Sequence, residues 1–360
     1  MKPVLFVTGH VPFDRVGAFA RLHALEGAEF ALFGGRSQHG GVAAAELPFP
    51  HRHIRQRELA RLAAAGRHRA VVVSTGGRVA LPAAWAGARR AGAPVILWSA
   101  LWAHPRSIAH AFSYVALRRL YRSADAVVVY GPHVAAYVRA RGARNVHVAL
   151  QSVDNAFWGA PAVRLPATPG WPSEATVKFL FVGRPNREKG LRVLMEAWFD
   201  HGLQASSAAL VLVGVGSCPP WIPAGGAVCP LDPVAPAQLR EMYAAADVLV
   251  VPSIPTRTFR EPWGLVVNEA MNRGLPVIAS DAVGAAAGGL VRDERNGLVV
   301  PAGDAGALAG AMRRLAADRE LRARLGAAGR QDVRAYTYDA WAQGFAQALD
   351  SLGLSRGGRW

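Results

Sequence analysis

Cysteine is almost missing from this chain: Cys218 and Cys229 are the two among 360 residues. They are too few for a zinc cluster and too far apart for a redox pair. A disulfide between them stays open, and reduced thiols in the cytosol are the safer expectation. Long apolar runs are missing as well, since no stretch approaches the roughly 20 residues of a membrane span. The opening run from Val4 to Val7 is broken by Thr8-Gly9-His10, well short of a signal-peptide core. A cytoplasmic protein is therefore expected, at most peripheral at the inner face of the membrane. Acidic residues are scarce beside basic ones, 25 Asp+Glu against 41 Lys+Arg, and nearly all the excess is arginine. Codon bias in a high-GC genome explains part of that. The functional readings are affinity for anionic membrane surfaces, for phosphorylated substrates or for nucleic acid. No recognition motif accompanies the charge, so a nucleic-acid partner is not expected.

What is present is apolar material for two cores: 51% of residues are hydrophobic and only 18% charged. Short apolar runs alternate with helical stretches in both halves. Strands are expected at Val4–Thr8, Ala28–Phe33, Ala70–Ser74, Pro94–Ser99, Ala126–Tyr130 and Asn145–Ala149, with helices such as Arg57–Ala65 and Pro82–Ala91 between them. Pro161, Pro166, Pro169 and Pro172 then interrupt the pattern. A second series follows, with strands at Val177–Val182, Ala209–Val213, Val248–Val251 and Pro276–Ala279 and helices at Leu191–Asp200, Pro236–Ala245 and Leu265–Arg273. Two α/β domains with a cleft between them are expected: residues 1–158, a linker over 159–173, and residues 174–335. The segment 336–360 carries an amphipathic helix that is expected to pack back on the first domain.

Two loops of the second half carry chemistry. Gly183-Arg184-Pro185-Asn186-Arg187-Glu188-Lys189-Gly190 lies between a strand and a helix. Gly183 lets the chain turn, and Arg184 and Lys189 put two cations beside a helix start, where backbone N–H groups also favour an anion. An ordinary solvated loop would look much the same. The second segment is Glu261-Pro262-Trp263-Gly264-Leu265-Val266-Val267-Asn268-Glu269. Glu269 falls one helical turn after Leu265, on the same face. Carboxylates accept hydrogen bonds from hydroxyls, so two of them around an anion site suit a molecule carrying both diphosphate and polyols.

Together these segments resemble the signature of the group 1, or family 4, retaining glycosyltransferases. The resemblance continues through Ala246-Asp247-Val248, Val251-Pro252-Ser253, Gly274 to Ser280 and Asn296-Gly297-Leu298-Val299, over about residues 177 to 320 in order. It implies the GT-B fold, with two Rossmann-like domains facing across a cleft, the first binding acceptor and the second a nucleotide-diphosphate sugar, UDP-sugar foremost. It implies that Arg184 and Lys189 bind the donor diphosphate beside Gly183. Glu269 takes the ribose hydroxyls. Glu261, with Trp263 and the backbone at Gly264 and Leu265, holds the sugar, and the base lies near Leu231. No cofactor beyond this co-substrate is implied. No D-x-D metal motif appears, and two cations already face the diphosphate, so a metal-independent reaction is expected. The acceptor is left open among glycan, lipid-linked and small-molecule classes.

The first half departs from the family pattern. The paired glycines after its first strand are reduced to Gly17, and the histidine expected after Pro94–Ser99 is replaced by Trp98-Ser99-Ala100-Leu101-Trp102-Ala103-His104. His104 is the candidate for a catalytic histidine from a shifted loop, with His10 and His133 behind it. The stretch Arg106–Arg122 mixes Ile108, Phe112, Val115 and Leu117 with four arginines. Core packing explains its apolar part, and the alternative is an interfacial patch on an anionic membrane. Three rivals stay open. Gly214-Val215-Gly216 mimics a dinucleotide motif, but the third glycine is missing and Pro219-Pro220 follows. A non-catalytic sugar- or nucleotide-binding module and a GT-B epimerase or phosphorylase share the same features.

Overall fold

The computed structural model describes residues 1–34, 47–77, 79–106, 108–161, 170–203, 207–216, 221–222 and 227–356. The central part of the expected linker, residues 162–169, lies outside them, as do Cys218 and the Pro219-Pro220 pair. The chain forms two compact units, one of Met1–Asp154 with Tyr336–Trp360, the other of Asn155–Ala335.

In the first unit β1 (Val4–Thr8), β2 (Ala28–Leu32), β3 (His51–His53), β4 (Ala70–Ser74), β5 (Val95–Ser99), β6 (Ala126–Val129) and β7 (Val146–Val148) make one sheet. Its order is β3-β2-β1-β4-β5-β6-β7, and each pairing is parallel. The helices are α1 (Val16–Glu26), α2 (Leu59–Ala64), α3 (Ala80–Arg90), α4 (Ile108–Ser123) and α5 (Pro132–Arg139). Successive strand residues point to opposite faces, and here both faces are dry. Leu5, Val7, Val71, Val73, Val95 and Leu97 enter one core, while Val4, Phe6, Val72, Ile96 and Val128 enter the other. That is why these strands read as unbroken apolar runs.

The second unit holds α6 (Asn155–Gly159), β8 (Val177–Val182), α7 (Leu191–Phe199), β9 (Ala208–Val213), β10 (Val228–Leu231), α8 (Pro236–Ala245) and β11 (Val248–Val251). It continues through α9 (Val266–Asn272), β12 (Val277–Ser280), α10 (Gly284–Ala287), β13 (Gly297–Val300), α11 (Ala305–Ala317) and α12 (Arg319–Asp332). The sheet order is β10-β9-β8-β11-β12-β13, again with parallel pairings. Helix α6 belongs here because Trp158 sets its ring edge-on against Tyr243, 5.7 Å between centroids.

The last helix, α13 (Tyr338–Asp350), packs in the first unit. Its Trp341 and Phe345 are fully buried and lie 6.5 and 5.5 Å from the ring of Phe6. Two glycines admit it. A Cβ on Gly344 would stand 2.4 Å from the carbonyl of Val148, and one on Gly17 would stand 2.2 Å from the Tyr338 ring.

Among the described residues no helix is long and apolar enough to cross a membrane. Strands β3, β10 and β13 were not legible as strands. β3 reads His-Arg-His with all three residues exposed at a sheet edge. β10 carries Pro230 at the other sheet's edge, where a missing N–H is tolerated.

At the end of α12, Asp332 ties down the loop that leads into β13. It accepts from Arg295 at 2.9 and 3.0 Å and from Asn296 at 2.9 Å, and pairs with Arg292 at 2.7 Å. The hydrogen bonds from Arg295, ahead of those from Asn296 and Arg292, hold its carboxyl down from 3.8 to about 2. A carboxylate favoured in the folded state stabilises above its unfolded pKa and loses that contribution as pH falls through the folded one. Asp332→Asn should therefore lower Tm at neutral pH, and the gap to wild type should close between pH 3.8 and about 2. A gap that stays constant over a pH series of thermal melts would show the tether does not depend on charge.

Candidate active site

Strands β8 and β11 are neighbours, yet β8 leads on to β9 on one side and β11 to β12 on the other. In an open parallel sheet the crevice beyond the strands' carboxyl ends at such a reversal is where ligands bind. Both loops singled out in the sequence start there.

The loop after β8 runs from Gly183 through a 3-10 turn at Arg187–Lys189 to Gly190, which has φ of 72°. A Cβ at Gly190 would stand 1.8 Å from the carbonyl oxygen of Pro252, so no other residue fits there. The amide of Ile254 also donates to the carbonyl of Glu188 at 2.9 Å. The two loops are thus held together by backbone alone. Side chains finish the junction: the Lys189 ammonium lies 2.6 Å from Glu261 Oε2, and the Ser253 hydroxyl donates to the same oxygen at 3.4 Å. The Glu261 side chain is only 9% exposed and that of Lys189 26%, so the pair is largely screened from water. Arg184 is exposed beside Gly183.

The turn from Glu261 to Leu265 is gripped from behind. The amides of Gly284 and Ala285 donate to the carbonyls of Glu261 and Trp263 at 3.1 and 2.8 Å. Trp263 is 2% exposed, and its indole N–H donates to Asn268 Oδ1 at 2.8 Å, so its side chain supports the turn from within. Gly264, at φ of 91°, reverses the chain into α9. One turn on, Glu269 is half-buried and its Oε2 accepts from the Tyr243 hydroxyl at 2.7 Å.

On the other flank, the carbonyl of Leu231 accepts from the amides of Gly214 and Gly216 at 3.0 and 3.1 Å. A Cβ on Gly214 would stand 3.0 Å from the carbonyl oxygen of Gly183. The ends of β10, β9 and β8 therefore lie in a row. The same bonds dispose of the dinucleotide reading, because Gly214 and Gly216 spend their N–H groups on β10 rather than on a pyrophosphate.

The structure thus brings Gly183, Lys189, Glu261, Gly264 and Leu265 onto one set of loops, with Glu269 on the first turn of α9 and Arg184 and Leu231 alongside. Gly17 and His104 belong to the first unit. Gly17 faces Tyr338, and the His104 ring meets Tyr114 edge-on, 4.9 Å between centroids. His133 similarly meets Trp102 at 4.9 Å. Tyr243 was missed, because a buried tyrosine in an amphipathic helix carries no sequence sign of what its hydroxyl touches.

Both sheets and these loops define a GT-B glycosyltransferase. The family described as "Glycosyl transferases group 1" matches residues 176–318, and the "Glycosyl transferase 4-like domain" matches residues 12–153. The chain belongs to the group 1, family 4-like glycosyltransferases. It is similar to the phosphatidyl-myo-inositol mannosyltransferase of Mycobacterium leprae, 33% identical over 181 residues, covering 49% of this chain and 47% of that one. The D-inositol 3-phosphate glycosyltransferase of Xylanimonas cellulosilytica is 34% identical over 211 residues, covering 51% of this chain and 47% of its own. The match therefore spans about half the length of these curated relatives. Among solved structures, Anabaena HepE in complex with UDP and glucose superposes with a TM-score of 0.75 over 98% of this chain and 100% of that one, at 17% identity.

The ion pair changes what is expected of the loop cations. Arg184 is exposed, so Arg184→Ala should leave Tm unchanged. Lys189→Ala removes the cation paired with a buried carboxylate and should lower Tm clearly. Adding Glu261→Gln to Lys189→Ala should recover most of that loss. Thermal melts of the three proteins check this, and an unchanged Tm in Lys189→Ala would mean that the pair carries no stability.

Proposed function

We propose that this chain transfers a sugar, with retention, from a nucleotide-diphosphate sugar to an acceptor hydroxyl, in the synthesis of a cell-envelope glycan, a glycolipid or a glycosylated metabolite. The observation that carries the reading is the Lys189 ammonium, fixed by Glu261 at the sheet's reversal point beside Gly183. There it lies next to a backbone turn and the exposed Arg184, the arrangement a diphosphate requires. UDP-sugar is the donor we favour, in line with the UDP and glucose bound to HepE.

In this reading Lys189 and Arg184 take the diphosphate, and Glu269 accepts from the ribose hydroxyls. Glu261 and the backbone at Gly264 and Leu265 hold the sugar, with the base near Leu231. The acceptor is taken by the first unit, with Gly17 and His104 on that side. The acceptor oxygen bonds to the anomeric carbon as the carbon–oxygen bond to the diphosphate breaks. The acceptor's proton passes to the departing phosphate, which leaves as the free nucleoside diphosphate. Fixed cations stabilise the charge that develops on that phosphate, commonly the largest catalytic contribution.

The test is mass-spectrometric turnover of a panel of nucleotide sugars and acceptors after exhaustive chelation. Activity should survive chelation, because the cations are side chains. Arg184→Ala should lose one charge-assisted hydrogen bond, about 1.5–3 kcal/mol, or roughly 10- to 150-fold in kcat/KM. A strict divalent-metal requirement, or wild-type rates in folded Arg184→Ala, would sink these roles. Donor binding without turnover would point to a binding module.

A second observation concerns α4. Leu117 and Leu120 pack against the core, and Tyr121 is buried with its hydroxyl 2.9 Å from Ser99 Oγ. The side chains of Ile108 and Phe112 lie outside the described residues. Val115 is 71% exposed, and it shares a groove of about 400 Å³ with Tyr114, Arg118, Arg119 and Arg122. Positions 115, 118, 119 and 122 form one helical stripe. We read this stripe as a peripheral contact with anionic lipid at the cytoplasmic face. Each arginine at such a surface is worth about 1 kcal/mol. Arg118→Glu with Arg119→Glu should abolish binding to phosphatidylserine vesicles, and salt should weaken binding of the wild type. No sedimentation of the wild-type protein with such vesicles at low salt would leave the stripe as ordinary solvated surface.

A further inference from the structure

We propose that Tyr243 is a positioning residue for the donor: its hydroxyl fixes the Glu269 carboxylate in the orientation that receives the nucleotide's ribose. This rests on the reading of Glu269 given above.

Tyr243 sits near the end of α8 and is fully buried. Its ring is wedged against Trp158, 5.7 Å away and nearly perpendicular at 76°. A phenol buried among rings needs a hydrogen-bond partner. Here it donates to Glu269 Oε2 at 2.7 Å, across 26 residues of sequence. Glu269 stands on the first turn of α9, its amide bonded to the carbonyl of Leu265 at 3.1 Å. The rigid ring therefore anchors a side chain about one helical turn past Leu265.

The direction of this bond is fixed. Burial raises the Tyr243 pKa well above 10.0, and the neighbouring charge of Glu269 pushes it further, so the phenol stays protonated and always donates. A carboxylate has about four lone-pair sites on its two oxygens. The hydrogen bond to Oε2 restrains the group from swivelling, and it uses one of those lone-pair sites. Without that bond the side chain would lose one of the contacts that hold its direction, and affinity would fall. The chemistry at the anomeric carbon would be untouched.

Tyr243→Phe removes the hydroxyl and keeps the ring, so packing against Trp158 survives. Calorimetry with UDP on this variant, on Glu269→Gln and on the double variant tests the inference. Tyr243→Phe should raise the Kd for UDP by about 5- to 10-fold, the scale of one hydrogen bond. It should raise donor KM alike and leave kcat within about 2-fold. The effects of the two single variants should be less than additive. Two ligands sharpen the result: pyrophosphate, which lacks ribose, and dideoxy-UDP, which lacks both ribose hydroxyls, should bind wild type and Tyr243→Phe equally. If Glu269→Gln binds UDP as wild type does, the ribose reading fails and the inference falls with it. If Glu269→Gln weakens UDP binding but Tyr243→Phe does not, the positioning role alone is overturned. If Tyr243→Phe weakens pyrophosphate as much as UDP, Tyr243 serves only the fold of the unit, and the inference is again overturned.

Discussion

The close approach of Gly190 to the carbonyl of Pro252 is the constraint on which the site depends. Parallel strands fix the spacing of β8 and β11, but they leave the loops beyond them free to diverge. A residue with any side chain at 190 would drive them apart, since its Cβ would overlap the Pro252 oxygen at 1.8 Å. With glycine there, Lys189 emerges one residue earlier and close enough for its ammonium to reach Glu261, 72 residues away in sequence. The ion pair is the consequence of the backbone contact. It also explains why Lys189 serves stability as well as any ligand, whereas the exposed Arg184 is uncommitted to the fold.

The same logic, small residues where chains must touch, recurs at a larger scale. Gly284 admits the Pro262 carbonyl, and Gly326 the carbonyl of Gly274, each at 1.9 Å from where a Cβ would stand. In the first unit Gly17 and Gly344 do this for α13. Gly17, which stands after the first strand, is also required by a helix from the far end of the chain, because a Cβ there would overlap the Tyr338 ring.

Most of the strands could be read because burial on both faces writes a continuous apolar run into the sequence, as in Val71-Val72-Val73 or Leu210-Val211-Leu212. The edge strand β3 could not, because His51–His53 buries nothing and has no pattern to show. Of the site, the residue types and loops were legible: Lys189, Glu261 and Glu269 stand where strand-to-helix connections put them. Their partners were not. The link from Lys189 to Glu261, the bond from Tyr243 to Glu269 and the turn of Trp263 into the core each join segments whose approach is set by the three-dimensional fold. Trp263 is one such case: its N–H donates to Asn268, five residues on, a bond that depends on how the turn folds over α9.

Scarce carboxylates are spent on anchoring. Glu26 is fully buried and receives Arg69 at 2.5 Å, the Ser355 hydroxyl at 2.9 Å and the Arg356 amide at 3.0 Å, fastening the C-terminal residues to the first unit. Asp332 holds three side chains, and Glu261 holds Lys189. A buried carboxylate demands such partners, because an unpaired charge out of water is costly. At the site this requirement has a further consequence. An ammonium has three N–H donors. Glu261 occupies one of them and fixes the direction of the other two. An anion arriving beside Gly183 would therefore meet a lysine already ordered by the fold, and the pair that orders it need not break.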